Sequence, residues 1–497
     1  MTEQPKYRVV IAGGGAAGWT AAAALVRHMG PLLDITPVES DAIGTVGVGE
    51  STIPTARTFH ALLGIREPVF MRETHATFKL GISFENWLHE GDNYFHPFGS
   101  IGKSMILADF QHFWLDARRR GFGGAYSDYS LETQAALAGK FATGDPAPLS
   151  YAYHLDATAY GQFLRKLAEP AGVRRVEGKI AKVERDGEGG DLTALELESG
   201  MRVEGDFFID CTGFRALLIE GTLETGFDDW SHWLPTDSAF AVQSETTEAP
   251  VPYTRAIAHG AGWRWRIPLQ HRMGNGFVFS SAHISDDAAR EQLLAAVPGK
   301  ALFDPRLLRF RTGMRRRVWN RNCLSLGLAS GFIEPLGSTS IHLVMIAVTR
   351  LLQNFPLRRD MTALAEHFNE QSRAEWEHIR DFIIAHYKLN ARDEPFWREH
   401  AARDIPDSLA ERIALYRESA MAFQGSDHIF RVESWNAMLI GQGVMPRDYH
   451  HMPALMPAAD LEQALSDLRA GIAAQLAKLP GHSAFITSYC APEANAA

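Results

Sequence analysis

The chain has 497 residues, of which 46% are hydrophobic and 22% charged, so it can bury a large core and form two or three domains. Its formal net charge of −10 excludes a general affinity for nucleic acid or for an anionic membrane surface. The three distant cysteines exclude a disulfide framework and a zinc site, and no apolar run approaches about 18 residues, so we expect a cytoplasmic protein without a membrane span or a metal.

The N-terminal elements predict a βαβ unit. Residues 7–12 (YRVVIA) are apolar and β-branched, which is typical of a buried parallel strand, and the alanine-rich residues 16–26 predict a helix. Residues 34–39 (DITPVE) predict a second strand that ends in an acid. A strand, a helix and a strand in this order favour an α/β fold with a Rossmann-like parallel sheet.

Glycines occupy the turn between the first strand and the helix. Gly13, Gly15 and Gly18 form the pattern G-x-G-x-x-G. The first glycine allows a tight turn, the second lets a pyrophosphate approach the backbone, and the third lets the helix pack closely on the sheet. The amides of the first helical turn, which includes Ala16 and Ala17, are then expected to hold the pyrophosphate.

The surroundings of this motif favour FAD over a nicotinamide nucleotide. Glu39 lies 26 positions after the first glycine, where an acid can bind ribose hydroxyls. Residues 171–213 read as an antiparallel meander that ends in FFIDCTG, which resembles the second dinucleotide-contact strand of glutathione-reductase-type FAD proteins. Asp210 and Gly213 are therefore candidate FAD contacts. Because no second G-x-G-x-x-G is present, we expect a separate reductase to reduce the flavin.

The rest of the chain changes from strands to helices. Residues 250–285 are strand-rich, and helices dominate from about residue 340. Two apolar helix faces are predicted there, formed by Leu364, Phe368, Trp376, Ile379 and Ile383, and by Leu461, Leu465, Leu468, Ile472 and Leu476. We expect an FAD-binding module with an interleaved substrate-side sheet over 1–350, and a mainly helical region over 351–497 that completes the substrate pocket.

Residues 262–268 (GWRWRIP) contain W-x-W-x-I-P, and this pattern resembles the signature of the flavin-dependent halogenases. The resemblance extends over most of the chain, and the sequence is most similar to the tryptophan-halogenase-like subgroup. The matching segments are GVGESTIP at 47–54, FKLGISFENW at 78–87, HPFG at 96–99, SGFIEPLGSTSIH at 330–342 and SWNAMLIGQGVMP at 434–446.

The resemblance implies a catalytic role for Lys79. Without it, a solvated or ion-paired lysine is the ordinary interpretation. The alternation of Phe78, Leu80, Ile82 and Phe84 predicts that Lys79 shares the opposite strand face with Gly81, Ser83 and Glu85. In the family, the lysine of the matching FK segment receives hypohalous acid from the flavin and either hydrogen-bonds it or becomes a haloamine.

The resemblance also places halide and flavin contacts. Halide is expected beside the backbone amides of Thr339 and Ser340, although an ordinary Ser/Thr helix cap explains the same residues. Further FAD contacts are expected from Val48, Gly49, Gly327, Pro335 and Leu336.

One residue departs from the family pattern. Tryptophan halogenases have P-L-E-S-T in this loop, and Gly337 stands where their glutamate helps to activate the halogenating species or remove the ring proton. We therefore expect an indole-like or phenolic substrate rather than free tryptophan.

Aromatic residues are candidates for the substrate pocket or tunnel. His96 and Phe98 match the family's HPF segment, and Trp435 is expected on the far side of the pocket. Trp263 and Trp265 lie two apart in a predicted strand, so both rings point to one side and can wall off the flavin. A core position is the ordinary alternative for each of these rings.

Together these features predict an FAD-dependent halogenase. It would use reduced FAD from a flavin reductase, oxygen and bromide or chloride to halogenate an electron-rich small aromatic such as an indole. Two alternatives remain: an FAD aromatic hydroxylase, or a flavin-binding protein that has lost catalysis. Whether the chain forms a homodimer is left open.

Overall fold

The chain is interleaved between two compact units. This computed structural model describes residues 6–44, 49–144, 149–187, 190–356, 361–425 and 428–491. Unit 1 consists of Met1–His75, Leu155–Pro235 and Phe310–Trp376, and unit 2 consists of Ala76–His154, Thr236–Arg309 and Glu377–Ala497. The domain boundary expected at residue 350 falls within the last segment of unit 1, and the assignment of 1–350 and 351–497 to functional domains stays a prediction.

Unit 1 is built on a six-stranded sheet. In spatial order its strands are β20 (Trp319–Asn320), β21 (Cys323–Ser325), β12 (Phe207–Asp210), β1 (Tyr7–Ala12), β2 (Leu33–Glu39) and β8 (Val176–Glu177), numbered in chain order. All neighbours are parallel except β20 and β21. The apolar run of β1 is buried at the centre, as parallel strands covered on both faces require. The predicted parallel βαβ unit is confirmed.

Unit 1 also contains two small antiparallel sheets. One consists of β11 (Arg202–Glu204), β10 (Leu192–Leu197) and β9 (Ile180–Arg185), and the other of β13 (Phe227–Asp229), β19 (Gly313–Arg315) and β22 (Gly331–Phe332). The first is the predicted meander, and it precedes β12 in the chain.

Unit 2 is built on a seven-stranded sheet. In spatial order its strands are β18 (Arg306–Arg309), β14 (Ser238–Ser244), β17 (Met273–Phe279), β16 (Gly262–Pro268), β15 (Thr254–His259), β5 (Gly81–Glu85) and β6 (Asn93–Pro97). Only β15 and β5 are parallel neighbours. The remaining strands of the chain are β3 (Gly49–Ser51), β4 (Thr77–Lys79) and β7 (Ala152–Asp156). Of these, β4 and β7 pair antiparallel.

The strand face predicted for Lys79 is wrong. Lys79 ends β4, which pairs with β7, whereas Ser83 and Glu85 belong to β5 in the seven-stranded sheet. The break occurs at Leu80, whose N–H donates to the carbonyl of Pro252 at 2.7 Å and thus leaves the β4 ladder. Alternating hydrophobicity cannot reveal a change of pairing partner within a continuous extended run.

Helices make up the described secondary structure that follows β22, apart from short 3₁₀ turns. The fourteen α-helices of the described residues are α1 (Ala16–Met29), α2 (Thr55–Leu62), α3 (Glu67–Glu73), α4 (Phe110–Arg119), α5 (Leu131–Leu137), α6 (Ala157–Ala168), α7 (Asp286–Ala296), α8 (Ser340–Gln353), α9 (Thr362–Lys388), α10 (Pro395–Ala402), α11 (Asp407–Ser419), α12 (Val432–Gly441), α13 (Ala458–Lys478) and α14 (His482–Tyr489). Within that described set, none is both long and apolar enough to cross a lipid bilayer.

Candidate active site

The glycine turn of unit 1 has the geometry of a dinucleotide site. Gly13 has φ of +109°, and a Cβ there would lie 2.3 Å from the carbonyl oxygen of Cys211. A Cβ on Gly18 would lie 2.0 Å from the carbonyl oxygen of Gly13, so helix α1 can sit this close to the turn only with glycine. The Cβ direction of Gly15, the N-cap of α1, is open for 4 Å. Ala16 and Ala17 begin the helix, and the amides of a first turn have no intrahelical acceptor.

Glu39 lies beside this turn, at the end of β2. It accepts a hydrogen bond from Nε1 of Trp19 at 3.3 Å and forms an ion pair with Arg175 at 2.5 Å. A Cβ on Gly14 would fall 1.2 Å from Oε2 of Glu39, so the carboxylate covers the turn. A carboxylate has about four lone-pair positions, which leaves acceptor capacity for ribose hydroxyls. These residues fit an adenine dinucleotide such as FAD.

Asp210 is fully buried, and the protein itself satisfies its carboxylate. Oδ1 accepts hydrogen bonds from the amide and hydroxyl of Thr212, and Oδ2 accepts from the amides of Leu218 and Ile219, at 2.7–2.9 Å. The carboxylate thereby shapes the turn after β12. Gly213 begins a 3₁₀ turn there with φ of +70°, and the space where its Cβ would point is open for 4 Å.

The loop before α8 continues the site in unit 1. Pro335, Leu336 and Gly337 form a 3₁₀ turn, and Ser338 is left-handed with φ of +57°. Thr339 is the N-cap of α8, yet its side chain makes no capping hydrogen bond. The expectation of an ordinary Ser/Thr cap is therefore wrong for Thr339. The first-turn amides of α8 have no acceptor within the helix itself.

Gly327 brings this part of the chain close to the glycine turn. With φ of +62°, a Cβ on Gly327 would lie 3.1 Å from Cβ of Ala17 and 3.8 Å from Cγ2 of Val344 on α8. Gly327, the start of α1 and helix α8 therefore lie next to one another. Gly49 opens β3 and is buried, and Val48 lies outside the described residues.

Lys79 lies in unit 2 and is completely buried. Its Nζ lies 5.0 Å from the ring centroid of Phe98. Burial lowers the pKa of Lys79 well below its ordinary value, because the ammonium form loses its hydration. The pKa of His96 is lowered to about 3, mainly by burial and to a smaller extent by the charges of His386 and Lys79. Phe98 and the neutral His96 are thus two of the side chains near the amine.

A cluster of rings surrounds His96 in unit 2. The centroid of Phe382 lies 5.6 Å from that of His96 and 3.7 Å from that of Phe430, on which it stacks. Trp435 packs edge-on against Phe382 at 5.0 Å, and His378 lies 6.1 Å from Trp435. We call these five residues with Phe98 the ring cluster.

Three polar atoms of the ring cluster are buried without a hydrogen-bond partner in the described part of the chain. They are Nδ1 of His96, Nε2 of His378 and Nε1 of Trp435. A buried polar group that stays unpaired costs about 1–3 kcal/mol, so several together suggest that a ligand completes them. Apolar walls with a few polar atoms are typical of a small-molecule pocket.

Sequence reasoning missed His378, Phe382 and Phe430. The first two lie on α9, whose predicted apolar face included Ile379 and Ile383. Periodicity identifies that such residues are buried, but it does not say whether they face the core or a pocket. Phe430 lies just before α12, outside any motif.

The two signature tryptophans on β16 are both buried, and their rings lie 6.0 Å apart. Trp263 lies 6.4 Å from Trp87, within the aromatic interior of unit 2. Trp265 covers Gly276, where a Cβ would come within 1.9 Å of the indole. Close packing of the indole on β17 thus requires glycine at position 276.

Comparisons with known proteins identify the family of the chain. The family model for tryptophan halogenase matches residues 8–458. Tryptophan 7-halogenase RebH from Lentzea aerocolonigenes is 34% identical over 91% of this chain and 92% of its own. Tryptophan 6-halogenase ThaL from Streptomyces albogriseolus is 36% identical over 82% of this chain and 81% of its own.

Solved structures agree over nearly the full length. A flavin-dependent halogenase from Xanthomonas campestris is 51% identical, with a TM-score of 0.96 over 98% of this chain and 99% of its own. BrvH, a flavin-dependent halogenase from Brevundimonas sp. BAL3, is 44% identical, with a TM-score of 0.94 over 98% and 99% of the two chains. The chain therefore belongs to the tryptophan halogenase family and is a flavin-dependent halogenase that uses reduced FAD and halide.

Proposed function

We propose that this halogenase brominates or chlorinates a neutral, electron-rich arene such as an indole, and that the amine of Lys79 receives the hypohalous acid beside that arene. The observation that carries the proposal is the complete burial of Lys79, which lowers its pKa well below the ordinary value. A neutral amine has a lone pair that can accept a hydrogen bond from hypohalous acid or take up its halogen. A solvated ammonium has none.

Bound FAD in its reduced form supplies, with oxygen, the oxidation of halide to hypohalous acid. In the transfer step, the halogen–oxygen bond breaks and a carbon–halogen bond forms. The ring then loses its proton, which combines with the released hydroxide to give water. The contribution proposed for Lys79 is to hold the electrophile at one ring carbon, and the surrounding rings keep bulk water away.

For the cofactor and halide we propose sites in unit 1. The phosphates of FAD would lie on the amides that follow Gly15, and Glu39 would bind the ribose. Halide would lie beside the amides of Thr339 and Ser340, and the absence of a capping bond from the Thr339 side chain supports this placement. The roles of Asp210 and Gly213 would be to shape the turn next to the cofactor.

The proposed substrate differs from that of RebH or ThaL. Gly337 removes the loop glutamate, so an arene that loses its proton readily is favoured over a less activated one. The ring cluster offers Phe98, Phe382 and Phe430 for stacking, and Nδ1 of His96 and Nε1 of Trp435 for polar contacts. Bromide is the favoured halide because it is easier to oxidise than chloride. A predominantly chlorinated product at equal halide concentrations would contradict this preference.

We further propose that a separate NAD(P)H-dependent reductase delivers the reduced flavin by diffusion. The chain contains one G-x-G-x-x-G pattern, which is assigned to FAD. The purified protein should therefore oxidise NADPH slowly until a flavin reductase is added. Rapid NADPH oxidation by the chain alone, with an oxygenated product in the absence of halide, would instead indicate an aromatic hydroxylase.

The decisive experiment combines the protein with a flavin reductase, NADH, FAD, oxygen and bromide, and screens indoles and phenols by mass spectrometry for the bromine isotope doublet. We expect Lys79→Ala to lower product formation at least about 100-fold while FAD binding is retained. Lys166→Ala is the matched control, because Lys166 is an exposed lysine paired with Glu73. Full turnover by the Lys79 variant would remove this residue from the mechanism.

A further inference from the structure

A series of buried hydrogen bonds begins at Thr77, two residues before Lys79 on β4. The hydroxyl of Thr77 donates to the carbonyl of Pro268 at 2.7 Å, and Oγ1 of Thr77 lies 3.0 Å from Nδ1 of His154. On the other side of the imidazole, Nε2 of His154 lies 2.9 Å from Oγ1 of Thr254. Thr77, His154 and Thr254 are all buried, and both nitrogens of His154 are engaged.

These contacts define the protons on His154. The only hydroxyl proton of Thr77 is used toward the carbonyl of Pro268, so Oγ1 of Thr77 must accept from Nδ1–H of His154. Nε2 is then unprotonated in the neutral ring and accepts from the hydroxyl of Thr254. A doubly protonated imidazolium would force the Thr254 hydroxyl to turn away.

These hydrogen bonds hold β4, the strand that ends at Lys79. Thr77 faces His154 across β4 and β7, and Lys79 faces Ala152 in the same ladder. Pro268 ends β16, the strand of the signature tryptophans, so the Thr77 hydroxyl ties that strand to β4. A displacement of β4 would therefore move the amine of Lys79.

The same strand has a second tether. The amide of Phe78 donates to Nε2 of His482 at 3.2 Å, and Nδ1–H of His482 donates to the carbonyl of Pro250 at 2.7 Å. Burial lowers the pKa of His154 well below its ordinary value, and the charges of Lys79 and His482 lower it further. Among the described residues, His154 on β7 and His96 on β6 each have a pKa that the charge of Lys79 lowers, which favours their neutral forms.

We infer that His154 is a positioning residue, locked as the neutral Nδ1–H tautomer, which holds the Lys79 strand against the end of β16 and places no positive charge beside the amine. This inference rests on the proposed role of Lys79. It assigns to His154 no contact with substrate, halide or flavin.

Variants of His154 separate its two tasks. His154→Asn keeps an N–H donor near the Nδ1 position but cannot become positively charged, whereas His154→Ala removes the donor. We expect His154→Ala to lower the rate of arene bromination about tenfold, with little change in KM, because a shift of about 1 Å in a reacting group costs up to 100-fold. His154→Asn should stay within about threefold of wild type near pH 7.5, and it should lose less of its rate than wild type only at a pH low enough to protonate His154.

A ratio distinguishes misplacement from general damage. Hypobromous acid that escapes is captured by a trap in solution, and brominated arene is measured in parallel. Misplacement of Lys79 should raise the share of trapped oxidant several-fold in His154→Ala, whereas plain instability would lower both yields equally and would overturn the inference. If the alanine variant folds poorly, Thr77→Val provides a second test, because it is isosteric and removes the hydroxyl that links His154 to Pro268. It should raise the share of trapped oxidant in the same way.

His400→Asn is the matched control. His400 is another buried histidine of unit 2, and its Nδ1–H donates to the carbonyl of Phe396 within its own helix. This variant should leave the trapped share unchanged. A rise equal to that of His154→Ala would show that any buried histidine change disturbs the site, which would contradict a specific role for His154.

The tautomer can be measured without turnover. In protein labelled with 15N in its histidines, one of the neutral Nδ1–H signals should disappear in His154→Asn, and in wild type that signal should persist from pH 8 to about pH 5.5. A charged ring or the Nε2–H tautomer near pH 7 would overturn the inference. If Lys79→Ala keeps full turnover while this signal is as expected, the proposed function fails and the assigned tautomer stands.

Discussion

In unit 1 the carboxylate of Asp210 accepts four hydrogen bonds from residues within nine positions of it, whereas in unit 2 the rings of His96, His378 and Trp435 come from distant segments and keep unpaired buried atoms. In the first arrangement, the protein itself supplies the hydrogen bonds of the carboxylate. The second leaves polar atoms without a partner among the described residues. The comparison agrees with the proposal that the glycine turn of unit 1 is preformed for the cofactor phosphates and that a ligand completes the ring cluster of unit 2.

The largest expected difference between the two units is the loss of stability at acid pH, because buried neutral histidines are concentrated in unit 2. Burial lowers the pKa of six of them to about 3 or 4: His96, His259, His378, His386, His400 and His482. The unfolded chain binds these protons near pH 6.5, whereas the folded chain does not. Stability is therefore complete above about pH 6.5 and falls as the pH drops toward 4, by up to about 2 kcal/mol per histidine at pH 5.

Hydrogen exchange at pH 7.5, 6.5 and 5.5 measures this effect for each unit. Protection should fall in β14–β17 of unit 2 before it falls in β1 and β12 of unit 1. In unit 1, His60 is the histidine whose pKa burial lowers to about 3, and it bonds to the hydroxyl of Tyr160 at 3.0 Å. Equal loss of protection in both units would refute the difference.

Two glycine variants sharpen the assignment of the cradle in unit 1. Gly18→Ala should destabilise the protein by about 3 kcal/mol or more, because its Cβ would lie 2.0 Å from the carbonyl oxygen of Gly13. Gly15→Ala is its matched partner, since its Cβ meets open space. It should unfold at the wild-type temperature but bind FAD about tenfold more weakly, as measured by flavin fluorescence titration. Unchanged affinity would argue against phosphates at this turn.

The last pair of variants compares the stability cost of changing a hydrogen-bonded polar group with that of changing an unpaired one, and the second cost is the smallest effect that we expect. Asp210→Asn places an amide N–H₂ against N–H donors and should cost about 2–4 kcal/mol in urea unfolding. Trp435→Phe removes an indole N–H that has no partner in the described part of the chain, so it should cost less than about 1.5 kcal/mol. If the two losses are equal, the unpaired indole N–H is satisfied by water and gives no support to a binding role.

Much of unit 1 could be predicted because its information is local. The strand, the glycines, the helix, the second strand and the acid follow one another within residues 7–39, and Gly13, Gly18 and Glu39 lie where the pattern places them. Gly327 was expected only by resemblance, and its approach to Ala17 depends on the pairing of β12 with β21.

Unit 2 could be predicted only in part. The family motifs pointed to Lys79, His96 and Phe98, but an alternating pattern placed Lys79 on the face of the following strand. The pairing partner changes at Leu80 because its backbone groups form hydrogen bonds with Pro252 and Phe98, which are distant in the chain. Phe382 and Phe430 carry no motif because ring stacking leaves no fixed spacing in the chain.

By itself, the amino-acid sequence determined the nucleotide turn, the α/β class and the family, since short-range geometry and a nearly complete set of motifs carry that information. Only the tertiary structure decided that Lys79 is buried and that Thr77, on the same strand, is hydrogen-bonded to His154. These properties arise from desolvation and from hydrogen bonds between segments that lie more than 70 positions apart in the chain.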